Sequence, residues 1–273
     1  MFNAAEAELR ARRGGSWSSE PFDPSSMWSQ VQRHLLAHDG DRSFVAEAGG
    51  RIVGFTSAFV RDDFWFFSAL FIDPSCQGQG IGRRLFELAW AGGQLRRATI
   101  TEAIQPVSTG LYARRGLLPV TPVLAFVGNP AIEANDGLEP RAITEQAVRA
   151  IDFAAYGFDR AVDHELWART STRATLWLRD GEPCAYSYRG GFHDGRVVGP
   201  VAGLDPEAAA QALSAELAAN AGEEIYLEVP GSATALVQVA IDAGLRLTDP
   251  SLLLLAPPDA PPTSYALHSS WLL

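Results

Sequence analysis

The pattern of apolar and polar positions divides the first half of the chain into alternating helices and strands. Apolar residues recur at helical spacing over residues 2–13 and again over residues 25–38. Residues 43–60 alternate between apolar and polar on both sides of a glycine pair that begins at Gly49, which predicts a β-hairpin. The aromatic run 64–72 predicts a third strand that is buried on both faces.

The elements that follow complete one α/β unit. A helix is predicted after Gly82, then a strand over residues 97–104, a short helix over 107–116 and a final strand over 117–128. The predicted buried side of the first of these helices consists of Ile81, Leu85, Leu88 and Ala89.

A polar stretch rich in Gly, Pro and Asn then interrupts the pattern. We interpret residues 129–140 as a linker between a domain of residues 1–128 and a second domain of residues 141–273. Beyond the linker a similar order of elements recurs: hairpin 174–190, strand 195–203, long helix 205–222, strand 223–229, helix 232–244 and extended segment 245–257. A helix that ends in glycine before an apolar strand occurs at both Gly116 and Gly244, which indicates an internal duplication. Residues 265–273 are a candidate last strand that closes one of the sheets.

Composition removes several classes of chemistry. The formal net charge is −10, and all 22 basic residues are arginine, so the chain contains no lysine. Mechanisms that need a lysine Schiff base, a pyridoxal phosphate anchor or a lysine-bearing phosphate loop are therefore excluded within this chain. The acidic balance, without a basic stripe, argues against nucleic acid as a partner and weakly favours a cationic substrate.

The remaining composition favours a reduced intracellular protein. The apolar segments are too short to span a membrane, and the charged N-terminus does not resemble a secretory signal, so we expect a cytoplasmic location. Cys76 and Cys184 are far apart and suggest neither a disulfide nor a metal site. His34 and His38 have a spacing that metal sites use, but the further ligands are missing, so we expect no metal.

The stretch that carries chemistry is "CQGQGIGRR", in which three glycines precede a predicted helix. Glycines at such a point let a ligand approach the free N–H groups of the helix start, which attract phosphate. A turn that needs glycine only for its conformation is the alternative. A dinucleotide fingerprint is a second alternative: its third glycine is missing, but Glu102 lies where its ribose-binding acid would stand.

Two motifs together resemble the GNAT superfamily of N-acyltransferases. "LFIDPSCQGQGIGRRL" resembles the family's strand, V-x-P-like turn and Q/R-x-x-G-x-G/A signature. "IQPVSTGLYARRGL" resembles the later N-x-x-S-x-x-L-Y-x-x-x-G-F segment, with Gln105 and Leu117 replacing the asparagine and the aromatic residue. The resemblance covers roughly residues 43–127 and implies an α/β fold (an α+β mixed sheet). For the whole chain it implies two GNAT-like domains in tandem, each a mixed, mostly antiparallel sheet flanked by helices.

The resemblance also implies roles for particular residues. It implies that acetyl-CoA is the acyl-donor co-substrate, and that the strand before the loop pairs with the pantetheine arm while the loop binds the diphosphate. The coenzyme-binding residues implied in this way are Leu70, Phe71, Ile72, Gln77, Gly78, Gln79, Gly80, Ile81, Gly82, Arg83 and Arg84. Tyr112 matches the family's general acid, and its alternative is an ordinary packed aromatic residue. Glu102 is the first candidate for the base, and Ser68 could hold a water instead.

The second copy departs from the pattern. Gly203 is the only glycine where the loop should be, the helix start carries acidic residues, and Ala240 stands where Tyr112 stands in the first copy. The predicted function is therefore acetyl transfer from acetyl-CoA to a primary amine of an unidentified acceptor, by a working first domain beside a degenerate second one. The alternative is a non-catalytic acyl-CoA sensor or scaffold. Oligomeric state stays open, and a homodimer is compatible with the sequence. The family's strand before its first helix is either missing or replaced by residues 265–273.

Overall fold

A computed structural model describes residues 25–93, 95–133, 137–190, 196–258 and 261–273. The helix predicted over residues 2–13 lies outside the described residues. Within the part that is described, no helix is long and apolar enough to cross a membrane. The chain divides into two compact units, residues up to 60 with 65–95, and residues 61–64 with 96–273.

The first unit contains a helix, a three-stranded antiparallel meander and a second helix. The described elements are α1 (Met27–His38), β1 (Phe44–Ala48), β2 (Arg51–Arg61), β3 (Phe64–Ile72) and α2 (Ile81–Ala89). In its sheet β1 pairs with β2, and β2 lies beside β3. Gly49 and Gly50 have φ values of 58° and 72° in the turn between β1 and β2, which is the left-handed geometry of a tight hairpin. The predicted hairpin and third strand are confirmed.

The buried face of α2 differs from the prediction: Ile81 is only partly buried, and Phe86 is buried although it was not predicted. Leu85, Phe86 and Ala89 are buried, whereas Leu88 is 51% exposed. The predicted inclusion of Leu88 was wrong, because the helix turns Phe86 towards the aromatic residues of β3. Phe86 lies edge-on to Phe67, with ring centroids 4.9 Å apart.

The second unit begins with the elements β4 (Arg96–Glu102), α3 (Pro106–Ala113) and β5 (Leu118–Gly128). The strand β12 (Ser251–Ala256), from the far end of the sequence, lies between β4 and β5 and is antiparallel to both. Leu253 of β12 faces Ile100 on one side and Thr121 on the other. On its far side β5 pairs with β10 (Ile225–Pro230). The short β11 (Arg246–Leu247) pairs with β5 on the side opposite β10, beyond the part that β12 covers.

A five-stranded sheet in the same unit has the order β13–β9–β8–β7–β6. Its strands are β6 (Glu139–Arg141), β7 (Ser171–Arg179), β8 (Glu182–Gly190), β9 (Val198–Gly203) and β13 (Tyr265–Ala266). The described helices after β6 are α4 (Glu145–Ala155), α5 (Ala161–Thr170), α6 (Pro206–Ala218) and α7 (Thr234–Asp242). The helix α6 buries a run of small residues and leucines against β9 and β8.

The proposed internal duplication has a local counterpart in backbone geometry. Leu117 donates its N–H to the main-chain oxygen of Tyr112 over 3.2 Å, and Leu245 donates to that of Ala240 over 3.1 Å. The glycine that ends each helix has a left-handed φ, 84° at Gly116 and 78° at Gly244. The two helix ends therefore have the same turn.

Residues 265–273 form a shorter strand than the sequence predicts. Only Tyr265 and Ala266 form a strand, and that strand pairs with β9 of the second sheet. They close one of the sheets, as predicted, and this is the five-stranded sheet rather than the sheet that contains β1. The predicted boundary at 129–140 stays a prediction. Strands from both sides of it pair in one sheet, since β5 pairs with β10 and with β12.

Candidate functional site

The glycine loop begins with a small turn that is stabilised by its own side chains. Asp73 accepts hydrogen bonds from the main-chain N–H of Ser75 over 3.0 Å and from its hydroxyl over 2.6 Å. These two bonds hold the pKa of the Asp73 carboxyl below its usual value. A 3₁₀ turn over Pro74–Cys76 follows, and Gln77 donates from its side-chain amide to the main-chain oxygen of Ile72 over 3.3 Å. The start of the loop is therefore fixed to the end of β3.

Two glycines of the loop adopt backbone conformations that other residues rarely reach. Gly78 and Gly80 have φ values of 76° and 80°. A Cβ built on either residue would meet nothing within 4 Å. Packing therefore does not explain the absence of a side chain here, and the space in front of both residues is available to a ligand.

The start of α2 has no capping side chain. Its N-cap is Gly80, with φ 80° and ψ 0°, and no side chain accepts a hydrogen bond from the first turn. Helix starts of this kind leave N–H groups and the positive end of the helix dipole without a partner, and they bind anions. Arg83 and Arg84 in the first turn are exposed and form no ion pair with any residue that the structure describes. The loop therefore combines an open main chain with positive charge, as anion-binding helix starts do.

Close packing holds α2 against the strand that leads into the loop. A Cβ on Gly82 would come within 3.5 Å of the Ile72 side chain, and a Cβ on Gly54 of β2 would come within 2.8 Å of it. Thr56 donates its hydroxyl to the main-chain oxygen of Ala69 over 2.7 Å. Gly54 and Thr56, which the sequence did not single out, therefore keep the end of β3 in place.

The aromatic residues of β3 form the packing core behind the loop. Trp65, Phe66 and Phe67 are buried, and the indole N–H of Trp65 donates to the main-chain oxygen of Ala89 over 3.0 Å. This bond satisfies an otherwise free carbonyl at the end of α2. The predicted burial of this strand on both faces is confirmed over its aromatic part.

The second unit holds the two predicted catalytic residues. Tyr112 lies in α3, is 5% exposed, and has a side-chain hydrogen bond with Ser108. Burial raises the pKa of the Tyr112 hydroxyl above its ordinary value of 10.0. Glu102 is the last residue of β4 and is half-buried, and its main-chain oxygen accepts the N–H of Gln105 over 3.0 Å. The loop and these two residues lie in different compact units, and their roles stay predictions.

We call residues 1–128 the first half of the chain and residues 141–273 the second half. The region of the second half that corresponds to the glycine loop is built differently. Residues 73–79 separate Ile72 from the N-cap Gly80, whereas only Leu204 separates Gly203 from the N-cap Asp205. Asp205 accepts the N–H of Ala208 over 2.7 Å, so the start of α6 is already capped. A Cβ on Gly203 would overlap the main chain of Ala209, because the helix packs directly on the end of β9.

The sequence also missed a buried polar cluster in the second unit. Arg160, fully buried, donates to Asp163 over 3.0 Å, and Asp163 also accepts from Arg61 over 2.9 Å. Nearby, Asp152 accepts the hydroxyl of Tyr186 over 2.7 Å and lies 3.0 Å from Nε2 of His164. The sequence signal for this cluster is weak, since its members lie on several elements.

The structure contains no group of three or more His, Cys, Asp or Glu side chains that could hold a metal ion, as far as the described residues go. His34 and His38 lie side by side on α1, with ring centroids 4.7 Å apart. Cys76 and Cys184 are both free thiols.

Comparison with known families identifies the first part of the chain. Residues 3–117 match the family model described as "Acetyltransferase (GNAT) family". The domain in this part of the chain is therefore a GNAT acetyltransferase domain. A search of the curated proteins found no match.

Solved structures show the same fold over nearly the whole chain. A candidate acetyltransferase from Pyrococcus horikoshii superposes with a TM-score of 0.70 at 15% identity, covering 90% of this chain and 85% of that one. A tandem GNAT protein from the clavulanic acid biosynthesis pathway has a TM-score of 0.55 at 16% identity, covering 95% of each chain. A GCN5-related N-acetyltransferase from Sphaerobacter thermophilus has a TM-score of 0.54 at 15% identity, covering 85% of this chain and 92% of that one. The fold is thus a mixed α/β, GNAT-like fold. The length of the chain, 273 residues, is consistent with two such domains in tandem.

Proposed function

We propose that the protein is an N-acetyltransferase that transfers an acetyl group from acetyl-CoA to a primary amine, with one working site. The observation that carries this proposal is the uncapped start of α2 behind Gly78 and Gly80, which leaves room and unpaired N–H groups for a diphosphate. The family match over residues 3–117 supports acyl transfer as the reaction class.

The coenzyme's diphosphate would bind to the main chain of Gln77–Arg84, with the guanidinium groups of Arg83 and Arg84 as counter-charges. Its pantetheine arm would pair with the main chain of Leu70–Ile72 in the manner of an added strand. The absence of a cap at Gly80 fits this role, because a capping side chain would occupy the N–H groups that the phosphate needs.

The reaction we propose is a direct attack without a covalent enzyme intermediate. The neutral amine forms the new C–N bond at the thioester carbonyl, the C–S bond breaks, and the sulfur leaves as a thiolate that takes up a proton. The amine loses one proton in the same process. Glu102 is the proposed acceptor of that proton, directly or through water, and a water held by Ser68 is the alternative.

Tyr112 is the proposed proton donor. Because burial raises the pKa of its hydroxyl above 10.0, the phenol keeps its proton throughout the neutral range. It can therefore donate a hydrogen bond to the sulfur on which negative charge develops. This raised pKa also means that the Tyr112 phenolate does not contribute as a base near neutral pH.

The acceptor is proposed to be a small molecule or peptide that carries a primary amine. The net charge of −10 favours a cationic amine and disfavours nucleic acid. The cytoplasm is the proposed compartment, consistent with the two free thiols. A homodimer is the oligomer to test first by light scattering.

A thiol-release assay with acetyl-CoA and a panel of amines tests the proposal. We expect coenzyme binding in calorimetry and amine-dependent release of free thiol. Binding without release for any amine would instead support a non-catalytic acyl-CoA sensor. Protection against thermal unfolding by NAD(H) but not by acetyl-CoA would replace the proposal with the dinucleotide alternative.

A further inference from the structure

The second sheet has an opening beside β9. Val197, directly before β9, forms a single parallel bridge with Tyr226 near the start of β10. The N–H of Tyr226 donates there to the main-chain oxygen of Arg196 over 2.9 Å. Beyond this bridge β9 and β10 no longer pair with each other. In chain order, β9 and β10 occupy the positions that β3 and β4 occupy in the first half.

A later piece of the same chain fills this opening. We call Ser264–Leu273 the tail segment. Tyr265 and Ala266 pair antiparallel with β9, and the N–H of Gly203 donates to the main-chain oxygen of Ser264 over 3.0 Å. On the other side, Leu267 donates its N–H to the main-chain oxygen of Glu228 in β10 over 2.8 Å. The tail segment is thus hydrogen-bonded through its main chain to both strands.

Side chains hold the tail segment beyond the strands. Ser270 donates its hydroxyl to a carboxylate oxygen of Glu228 over 2.8 Å. Arg160 donates to the main-chain oxygens of Leu272 and Leu273 over 2.5 and 2.9 Å. Because Arg160 is fully buried and ion-paired to Asp163, it is a fixed anchor.

The surface of β9 fits the tail segment closely. A Cβ on Gly199 of β9 would overlap the main-chain oxygen of Leu267, so only glycine allows the observed approach. The ring of Tyr265 stacks on that of Tyr156 with centroids 4.2 Å apart. Both Tyr265 and Leu267 are almost completely buried.

The neighbouring surface does not suit a diphosphate. A groove of about 540 Å³ lies along α6 and α7 and contains the carboxylates of Glu207 and Asp242. Among the described residues that line this groove, none is cationic. The start of α6 is capped by Asp205, whose negative charge also repels phosphate.

We propose that the tail segment is a built-in peptide occupant of the second sheet, held where a coenzyme arm would otherwise pair with the strands. The second half is therefore closed to coenzyme, and each chain takes up one coenzyme molecule. The identity of the excluded ligand rests on the proposed function, whereas the occupancy of the opening does not.

Amide hydrogen exchange and calorimetry on the full chain test the two parts separately. We expect the amide of Leu267 to exchange as slowly as those in β8 and β9, and saturating acetyl-CoA to slow exchange in the glycine loop without changing that of the tail segment. Calorimetry should give one coenzyme per chain. Fast exchange at Leu267, a tail segment that loses protection when acetyl-CoA is added, or two coenzymes per chain would each overturn the proposal. A stoichiometry of zero would refute the proposed function, and the exchange data would still decide whether the opening is filled.

A pair of glycine variants sharpens the test. Gly199→Ala should displace Leu267 and increase exchange across the tail segment at least 10-fold, while the coenzyme stoichiometry stays at one. Gly92→Ala is the matched control, because a Cβ there meets nothing within 4 Å. Unchanged exchange of the tail segment in a folded Gly199→Ala variant would contradict the proposal. If Gly199→Ala does not fold, the Leu267 exchange rate in the unmodified chain decides.

Discussion

The two halves of the molecule begin their central helices in opposite ways. At α2, a left-handed glycine takes the cap position, no side chain accepts from the first turn, and the loop before it is seven residues long, 73–79. At α6, Asp205 caps the helix, and Leu204 is the whole loop. A helix start can satisfy its N–H groups with its own side chain or leave them for a ligand, and each half does one of these.

The difference also extends to the strands beside each helix. In the second half, the tail segment and Asp205 provide from within the chain what a coenzyme's arm and phosphates would provide from outside. A duplicated fold can therefore be stabilised by filling a ligand site permanently. The cost is the loss of that site.

The largest expected effect concerns Tyr112, at whose position the second half has Ala240. Tyr112→Phe should lower kcat at least about 100-fold, because it removes the proposed proton donor and retains the aromatic ring. The affinity for acetyl-CoA should not change. Steady-state kinetics and calorimetry measure the two quantities. Tyr265→Phe, which removes a buried hydroxyl in the second half, is the control, and an equal loss of kcat in both variants would refute the role of Tyr112.

Buried tyrosines should make the protein sensitive to alkali. Burial raises the pKa of Tyr112 in the first half, and in the second half it raises the pKa values of Tyr156, Tyr186, Tyr188 and Tyr265. The stability that these neutral phenols contribute is complete below pH 10 and is lost as the pH rises through and beyond that value, by up to about 1.4 kcal/mol per pH unit for each tyrosine.

Urea unfolding at a series of pH values measures this dependence. We expect a nearly constant free energy of unfolding from pH 8 to about 9.5 and a steep fall above pH 10. A free energy that does not change up to pH 11.5 would show that these phenols ionise as freely as exposed ones.

A third variant tests the loop itself. Gly80→Ala should weaken acetyl-CoA binding about 10-fold or more, since it disturbs the N–H groups that face the phosphates. Gly181→Ala is a close match, because Gly181 has φ 83° and an equally open Cβ position, against φ 80° at Gly80. Both variants should lose about 1 kcal/mol of stability from backbone strain. Equal coenzyme affinity in the two variants would argue that Gly80 serves the turn alone.

The smallest effect is expected at the cap of the second half. Asp205→Ala should lower the free energy of unfolding by about 1 kcal/mol through loss of the N-cap. The coenzyme stoichiometry and affinity should be unaffected. Denaturant unfolding measures the first quantity and calorimetry the second. A gain of a second binding site in this variant would show that Asp205 alone closes the second half.

Local patterns in the sequence predicted the first half well. The strand over 64–72 and the hairpin around Gly49 were predicted with nearly the observed bounds, because period-two alternation and paired glycines are local signals. The loop was found in the same way, since left-handed glycines before a helix leave a recognisable spacing. Its supports at Gly54 and Thr56 were not, because they act from a neighbouring strand.

Long-range pairing was beyond the sequence. Helices α4 and α5 were not predicted, although Val148 and Ile151 are spaced for a buried helix face. The insertion of β12 between β4 and β5, and that of the tail segment beside β9, join residues far apart along the chain. A strand's own alternation does not say which partner it will pair with, so these two features needed the structure.

The central claim is that the start of α2 binds a diphosphate. The most direct measurement compares, by calorimetry on the unmodified chain, the affinity for acetyl-CoA with that for S-acetylpantetheine, which has the thioester arm but neither the diphosphate nor the adenosine 3′-phosphate attached to it. We expect acetyl-CoA to bind at least about 100-fold more tightly, roughly 2.7 kcal/mol. Equal affinities for the two compounds would contradict the account.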